Sequence, residues 1–240
     1  TYVASVQGSN YPSLSGNGFI STMYPTGYDP KLKWEETTTW NAGFDFAFLN
    51  NRITASIDYY LRKSKDLLSY VSVPSGSSTT NMMNQNIGTL KNEGIEFSIT
   101  ARPIVTNDFT WTASYNVAYN KNRITKLNND GSYIETGGIS SGKGNNCQVQ
   151  AVGHPVNSFF LFEQVYDKNG KPLEGVYVDQ NGDGVINDDD RRIRHSKNPK
   201  VTMSFSSTFN WKNWDLGFAL HANIGNYVYA DAMSDHSVVD

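Results

Sequence analysis

The sequence has little cysteine, no long hydrophobic run and no cluster of basic residues. Its one cysteine, Cys147, excludes a disulfide framework and any site that needs paired cysteines for zinc or redox chemistry. Its apolar runs are far shorter than the roughly 18–20 residues that a membrane-spanning helix requires. The 20 basic residues are outnumbered by 23 acidic ones. Because nucleic-acid-binding proteins carry a basic patch, we expect no nucleic-acid partner.

The sequence also lacks the motifs of catalysis. It contains neither a GxSxG nucleophile elbow nor an HExxH metal site, and its 4 histidines are scattered. We therefore expect that the protein is not an enzyme and that it requires no cofactor.

The sequence is rich instead in segments where apolar and polar residues alternate. From Trp40 to Phe48 every second residue is alanine or an aromatic, and the residues between them are polar or small. This period of two predicts a strand with one apolar face. After Asn50-Asn51, which suits a tight hairpin, the alternation resumes. We predict an all-β fold of antiparallel strands over segments 38–49, 52–66, 93–102, 109–121, 202–211 and 214–225, with a weaker strand at Phe159–Tyr166.

The connections between the predicted strands are of two lengths. Short turns at Asn50-Asn51, Pro103–Asp108 and Lys212-Asn213 alternate with polar loops of roughly thirty residues or more, which compact domains rarely carry. Short turns on one side and long loops on the other are typical of a transmembrane β-barrel with an apolar face toward lipid and a polar face toward the lumen. Aromatic residues beside the short turns would form the girdle at the periplasmic interface. These residues are Phe48, Phe109, Trp111, Trp211 and Trp214.

The two faces of such a barrel would carry different side chains. Polar residues on the lumen side could contact a solute, since their amide, carboxylate and aromatic groups suit the hydroxyls and ring faces of sugars. Alternatively, these polar residues contact only water, because a water-filled lumen is polar whatever it transports. The lumen set comprises Asn41, Asp45, Asp58, Tyr60, Glu96, Asn116 and Asn120. The lipid-facing set includes Phe44, Phe46, Ile57, Phe97, Phe205 and Phe218.

One segment has the spacing of a calcium-binding loop. In this reading Val185 contributes its carbonyl, and Asp190 stands where a bidentate glutamate is usual. The alternative is a solvated acidic turn whose charge is offset by Arg191, Arg192 and Arg194. A calcium ion here would be structural, since it would stabilise only the ordered loop. The ligand set is Asp179, Asn181, Asp183, Val185, Asn187 and Asp190, with Gly184 at the sharp turn.

A second fold fits the same alternation. In a soluble β-sandwich the aromatic faces of two sheets pack against each other and form the core. Such a protein would be a carbohydrate-binding module with a calcium-stabilised loop. The barrel carries its aromatic faces outward on one curved sheet, whereas the sandwich pairs them across two sheets.

Several short motifs, in their order and spacing, resemble the C-terminal barrel half of SusC/RagA-like TonB-dependent outer-membrane transporters. The resemblance extends from about Leu14 to Gly225. The motifs that carry it are Asp29-Pro30-Lys31-Leu32-Lys33-Trp34-Glu35, Asn51-Arg52-Ile53-Thr54, Asp58-Tyr59-Tyr60, Lys65-Asp66-Leu67-Leu68, Asn86-Ile87-Gly88, Asn92-Glu93-Gly94-Ile95-Glu96, Gly153-His154-Pro155, Phe159-Phe160 and Asp179-Gln180-Asn181-Gly182-Asp183-Gly184.

The resemblance implies a cellular location, a transport function and the partners of the transporter. It implies a barrel of about 22 strands in the Gram-negative outer membrane, closed by an N-terminal plug. It implies import of an oligosaccharide or peptide substrate, powered by TonB, with a SusD-like lipoprotein as lid and outer-membrane lipid around the wall. The start of the chain has no signal peptide, so we expect that residues 1–240 are one barrel segment. The plug and first strands would then lie upstream, and the last strands downstream.

Overall fold

The computed structural model of the chain describes residues 6–12, 18–25, 27, 29–73, 76, 82–128, 133–139 and 146–232. Antiparallel strands dominate this part of the chain, and they form four sheets. One 3-10 turn, Asp188–Asp190, interrupts them. In chain order the strands are β1 Val6–Pro12, β2 Phe19–Pro25, β3 Glu36–Phe48, β4 Ile53–Ser72, β5 Met82–Val105, β6 Phe109–Leu127, β7 Tyr133–Gly138, β8 Asn146–Ala151, β9 Ser158–Leu161, β10 Gln164–Tyr166, β11 Pro172–Tyr177, β12 Arg192–Ser196, β13 Val201–Trp211 and β14 Trp214–Ile224.

The largest sheet has six strands in the order β14-β13-β6-β5-β4-β3, and we call it the wall. Every neighbouring pair in the wall is antiparallel. These strands correspond to the six segments predicted from strong alternation, and the predicted hairpins join β3 to β4, β5 to β6 and β13 to β14. Two strands are longer than predicted: β4 continues to Ser72 and β5 begins at Met82, so most of the long loop predicted between them is strand. The prediction of an all-β antiparallel fold is therefore confirmed.

The turn between β3 and β4 has a left-handed backbone at three successive residues. Leu49, Asn50 and Asn51 have φ values of 52°, 53° and 62°, and Asn adopts this region more readily than most residues. Arg52 then joins this turn to the next one, because its guanidinium donates to the carbonyl of Pro103 at 2.8 Å. The end of the wall that carries the short turns is thus tied together by side chains as well as by strand pairing.

Two further features of the long loops differ from the prediction. The single strand predicted at Phe159–Tyr166 is wrong, since the chain breaks after Leu161 and forms β9 and β10, which lie in different sheets. The adjacent apolar residues Phe159 and Phe160 do not alternate, so their pattern could not locate this break. The loops also contain further sheet structure: β9 belongs to a four-stranded sheet of order β12-β9-β8-β7, and β10 pairs with β11.

Among the described residues, the main buried cluster is small and lies in the four-stranded sheet, although Met83 of β5 and Ile124 of β6 are also buried. Val149, Ala151 and Phe160 form a buried cluster against which Ile193 packs. Cys147 is buried in the same sheet, and this burial raises the pKa of its thiol. No helix in the described ranges is long and apolar enough to cross a membrane.

Candidate functional site

One face of the wall is apolar and open to its surroundings. Strand pairing aligns Phe44 with Ile57 and Ile57 with Phe97, and this row continues through Val117 and Met203. The aromatic side chains at the wall's edges are largely uncovered, with 68% of Phe44 exposed. A water-soluble protein does not leave an apolar face of this size uncovered, whereas lipid solvates it. The predicted lipid-facing residues are all on this face.

The apolar face has the height of a membrane. In β13 it extends over 11 residues, from Val201 to Trp211. At about 3.4 Å per residue this is about 34 Å along the strand. Strands in outer-membrane barrels tilt by about 45°, which reduces the vertical height to about 24 Å and matches the apolar band of about 25 Å in such barrels.

Aromatic side chains border the apolar face at both ends. At the short-turn end, Phe109, Trp211 and Trp214 share one row, as predicted for a girdle. At the long-loop end, Trp40, Tyr59 and Tyr119 project from the same face. We did not predict this second girdle. The signal that could have located it is the last aromatic residue in each alternating segment before charged residues begin.

A polar atom on the apolar face has its hydrogen bond satisfied. Ser207 is only 2% exposed, and its hydroxyl accepts a hydrogen bond from the indole Nε1 of Trp111 at 2.9 Å. In lipid an unpaired indole N–H would cost free energy, so this pair keeps the surface compatible with hydrocarbon. Ser207 could not be predicted from the sequence, because a serine in an apolar row carries no distinctive pattern.

The opposite face of the wall is polar, and all seven predicted lumen residues lie on it. Asp58 pairs with Glu96, and Asn41 pairs with Tyr60. A depression of about 700 Å³ brings Asn41, Asp58, Tyr60, Glu96 and Asn120 together. The two remaining residues, Asp45 and Asn116, lie outside it, and Asn116 donates to the Ser204 hydroxyl at 3.3 Å. Arg62, Asn92 and Thr39 also line the depression, and these three residues were not predicted from the sequence.

Gly94 makes the central contact of this depression possible. It is paired with Tyr60 on one side and Asn120 on the other. Because Gly94 has no side chain, the Tyr60 ring lies across it, and its hydroxyl donates to Asn120 Oδ1 at 3.1 Å. A Cβ at this position would collide with the ring. The Asn-Glu-Gly-Ile-Glu motif thus positions an aromatic side chain across two strands.

The segment around residues 179–190 forms a compact acidic loop. The Asp179 carboxylate accepts hydrogen bonds from the amides of Gly182 and Gly184 at 2.6 and 2.8 Å, and both glycines have positive φ. The Asp183 carboxylate accepts from the amide of Val185 at 2.8 Å and from Asn181 Nδ2 at 2.9 Å. Three of the predicted ligands, at positions 179, 181 and 183, are therefore neighbours on one turn.

The loop is closed by a buried carboxylate. Asp190 has no exposed surface, and it accepts hydrogen bonds from the amides of Gln180 at 2.8 Å and Asn187 at 2.9 Å. The Asn187 amide is the main cause of a lowered Asp190 pKa, and the Gln180 and Asn181 amides and the Arg192 charge contribute. Among the described residues, no group of three or more His, Cys, Asp or Glu side chains is placed to hold a metal ion.

The arginines after this loop connect it to the four-stranded sheet. Arg191 pairs with Glu135 at 3.1 Å, donates to the carbonyl of Asn146 at 2.6 Å and lies 4.3 Å above the Phe160 ring. Arg194 pairs with Glu163. Arg191 also lies 3.5 Å from the Asp188 carboxylate of the acidic loop, and the Arg192 charge acts on Asp190, so these two arginines offset part of the loop's charge, whereas Arg194 pairs outside it.

The four-stranded sheet is attached at the long-loop end of the wall. The amide of Ile124 donates to the carbonyl of His154, and the amide of Gly153 donates to the carbonyl of Ile124, both at 2.9 Å. The Val156 amide donates to the side chain of Asn122, which belongs to the polar face, at 2.8 Å. The turn between β8 and β9 thus lies beside the polar face of the wall.

Comparison with known proteins agrees with this two-faced wall. The family model for the β-barrel of TonB-dependent receptor-like proteins matches residues 2–237. TonB-dependent receptor SusC of Bacteroides thetaiotaomicron is 48% identical over 99% of this chain, and TonB-dependent receptor P3 of Formosa agariphila is 33% identical over 88%. The solved structure of the RagAB peptide transporter superposes on 93% of the chain with a TM-score of 0.73 and 26% identity.

The family match and the arrangement of the strands in one sheet decide between the two folds that the sequence allowed. The chain spans 24% of SusC, 22% of P3 and 24% of the RagAB chain. A soluble sandwich would divide the six alternating segments between two sheets, but in the described part of the chain all six lie in one sheet. The chain belongs to the TonB-dependent receptor β-barrel family and forms part of the wall of an outer-membrane barrel.

Proposed function

We propose that the protein of which this chain is part imports glycans or peptides across the outer membrane with energy supplied through TonB. The observation that carries the proposal is a wall with one apolar face of membrane height and one hydrogen-bonded polar face, in a chain of this family. The names of its relatives support it, since SusC is a TonB-dependent receptor and RagAB a peptide transporter.

The proposed partners lie on both sides of the membrane. TonB would act from the periplasm through an N-terminal plug inside a barrel of about 22 strands. A SusD-like lipoprotein would close the lumen from outside. The hairpin of β10 and β11 supports a protein partner there, because Tyr166, Leu173 and Val176 expose large apolar side chains in the long loops.

Substrate contact is proposed at the polar depression. Tyr60 offers a ring face, Glu96 and Asp58 offer acceptors, and Asn120 offers an amide. This combination suits an uncharged solute rich in hydroxyl and amide groups, which both oligosaccharides and peptides provide. The remaining predicted lumen residues, Asn41, Asp45 and Asn116, would offer similar polar groups to a substrate in the lumen.

The test is growth of a strain that lacks the gene for the full-length protein. On a panel of oligosaccharides and peptides as nutrient sources, we expect growth to fail on one class and to return with the wild-type gene. Removal of TonB should abolish the same growth. Uptake that persists without TonB, or growth that is unchanged on every substrate, would contradict the proposal.

A matched pair of variants tests the role of the depression. Tyr60→Phe removes the hydroxyl that contacts Asn120 and should raise the apparent KM for uptake by about fivefold, the value of one hydrogen bond. Tyr59→Phe makes the same chemical change on the neighbouring residue, which belongs to the lipid-facing side. Equal effects of the two variants on uptake would show that the depression does not contact substrate.

We propose in addition that the loop at residues 179–190 binds a structural calcium ion. In support, Asp179, Asn181 and Asp183 share one turn, and Gly184 permits its sharp bend. Ligand oxygens should lie about 2.3–2.6 Å from the ion.

The calcium proposal is tested by titration of the full-length protein and of Asp183→Ala. Calcium should slow amide hydrogen exchange in this loop of the wild type only, and a chelator should reverse the effect without unfolding the wall. Exchange that does not respond to millimolar calcium would identify the loop as an acidic turn that needs no ion.

A further inference from the structure

Positive charge is concentrated on the lipid-facing side of the wall, just beyond the girdle at the long-loop end. Strand pairing places Lys63 opposite Lys91 and Lys91 opposite Arg123, so three cations occupy one cross-strand row. In the row below, Leu61 pairs with Glu93 and Glu93 with Lys121. We call Lys63, Lys91, Lys121 and Arg123 the basic patch.

The charge of the basic patch is poorly balanced from within the chain. Lys91 contacts Glu93 at 2.7 Å, but Lys63, Lys121 and Arg123 take part in no ion pair with any described residue. Like charges directly opposite each other on a sheet are destabilising. The four cations face one anion, Glu93, so an anionic group from outside the chain would stabilise the patch.

The other face of the wall at the same height has a different character. There Asn122 donates to Asn92 at 2.5 Å and accepts from the Val156 amide. Between Lys121 and Arg123, the Asn122 side chain therefore points to loops and lumen, while the cations point away from them. One cation, Arg62, shares this row on the polar face, but the four cations of the basic patch all lie on the outward surface.

The depth of the patch matches the headgroup layer. Lys63 follows Tyr59 of the upper girdle by four positions in β4, which is about 13 Å along the strand. A tilt of about 45° makes this about 9 Å of height above the girdle, and headgroup regions extend about 5–8 Å beyond the hydrocarbon. Lysine and arginine stems bridge the difference, because they extend along apolar surface toward polar groups.

We infer that the basic patch binds the phosphate group of a phosphorylated glycolipid in the outer leaflet. The patch continues the lipid-facing surface at its outer edge, so an embedded lipid reaches it without leaving the membrane. Arg123 can hold two phosphate oxygens at once, and the lysines supply point charges around them. The acyl chains of the same lipid would lie against the apolar rows below.

The experiment uses the full-length protein in detergent and native mass spectrometry. Monophosphoryl lipid A and the same lipid without its phosphate are the two probes. The wild type should bind the phosphorylated probe more tightly. The double variant Lys63→Gln/Arg123→Gln should bind it about 30-fold more weakly, since each cation near an anionic lipid is worth about fivefold.

Charge-matched and single variants make the result decisive. Lys168→Gln/Lys171→Gln removes the same charge from the exposed β10–β11 turn and should bind the probe as the wild type does. If the double variant is not folded, Lys63→Gln and Arg123→Gln alone should each weaken binding about fivefold. Equal binding of the two probes by the wild type, or of the phosphorylated probe by wild type and patch variants, would overturn the inference.

Discussion

A missing side chain organises the polar face of the wall. Gly94 leaves room for the Tyr60 ring to cross β5 and reach Asn120. Gly94→Ala should displace the ring, weaken substrate uptake and cost about 1–3 kcal/mol of stability, as overpacking does. Gly217→Ala is the control, because a Cβ there meets no atom closer than 3.7 Å. Thermal unfolding of the two variants in detergent measures the difference, and a Gly94→Ala protein as stable as the control would refute this role.

At the scale of one strand, neighbouring positions in β3 face different solvents. Phe46 lies in an apolar row and Asp45 in a polar row. Phe46→Arg should cost about 2–4 kcal/mol near the middle of the membrane, whereas Asp45→Arg should cost little because it faces water. The yield of folded barrel in the outer membrane measures both variants. Equal yields would mean that β3 does not divide lipid from lumen.

The acidic loop should respond to pH in a direction that the Asp190 carboxylate sets. The Asn187 amide lowers the pKa of this carboxyl below its ordinary value. Its stabilisation is therefore complete above the pKa of an unfolded aspartate and is lost as pH falls through the lower, folded value. The protection of the Gln180 and Asn187 amides, measured relative to the intrinsic exchange rate at each pH, should be lost only below the ordinary aspartate range. In Asp190→Asn this protection should be absent at neutral pH as well, and protection that persists in that variant would contradict this.

For the molecule as a whole, the alternation of apolar and polar residues predicted the strands of the wall but not the sheets outside it. Phe44, Ile57 and Phe97 alternate with polar residues because each face of the wall meets one uniform solvent. Among the loop strands, β8 does alternate, with Cys147, Val149 and Ala151 buried, but it is only 6 residues long. In β9 the adjacent residues Phe159 and Phe160 are both buried, so that strand has no alternation to detect. The contact of Tyr60 with Asn120 escaped prediction because it depends on strand register across Gly94.

The wall should tolerate change in its loops. About ten Gly and Ser residues inserted after Asn169, in the β10–β11 turn, should cost less than about 1 kcal/mol, because loop entropy grows slowly with length. Resistance of the barrel to detergent at raised temperature measures this. A large loss of resistance would show that the loop sheet supports the wall.

The pairing of β6 with β13 has a consequence for how this kind of protein diversifies. The two strands are joined edge to edge, yet the whole segment between Leu127 and Val201 leaves the wall and returns. Each doubling of such an excursion costs only about 0.6 kcal/mol of closure entropy. Insertions and deletions can therefore change the outer surface while β6 and β13 keep their register. New specificities can arise in this way without a new barrel.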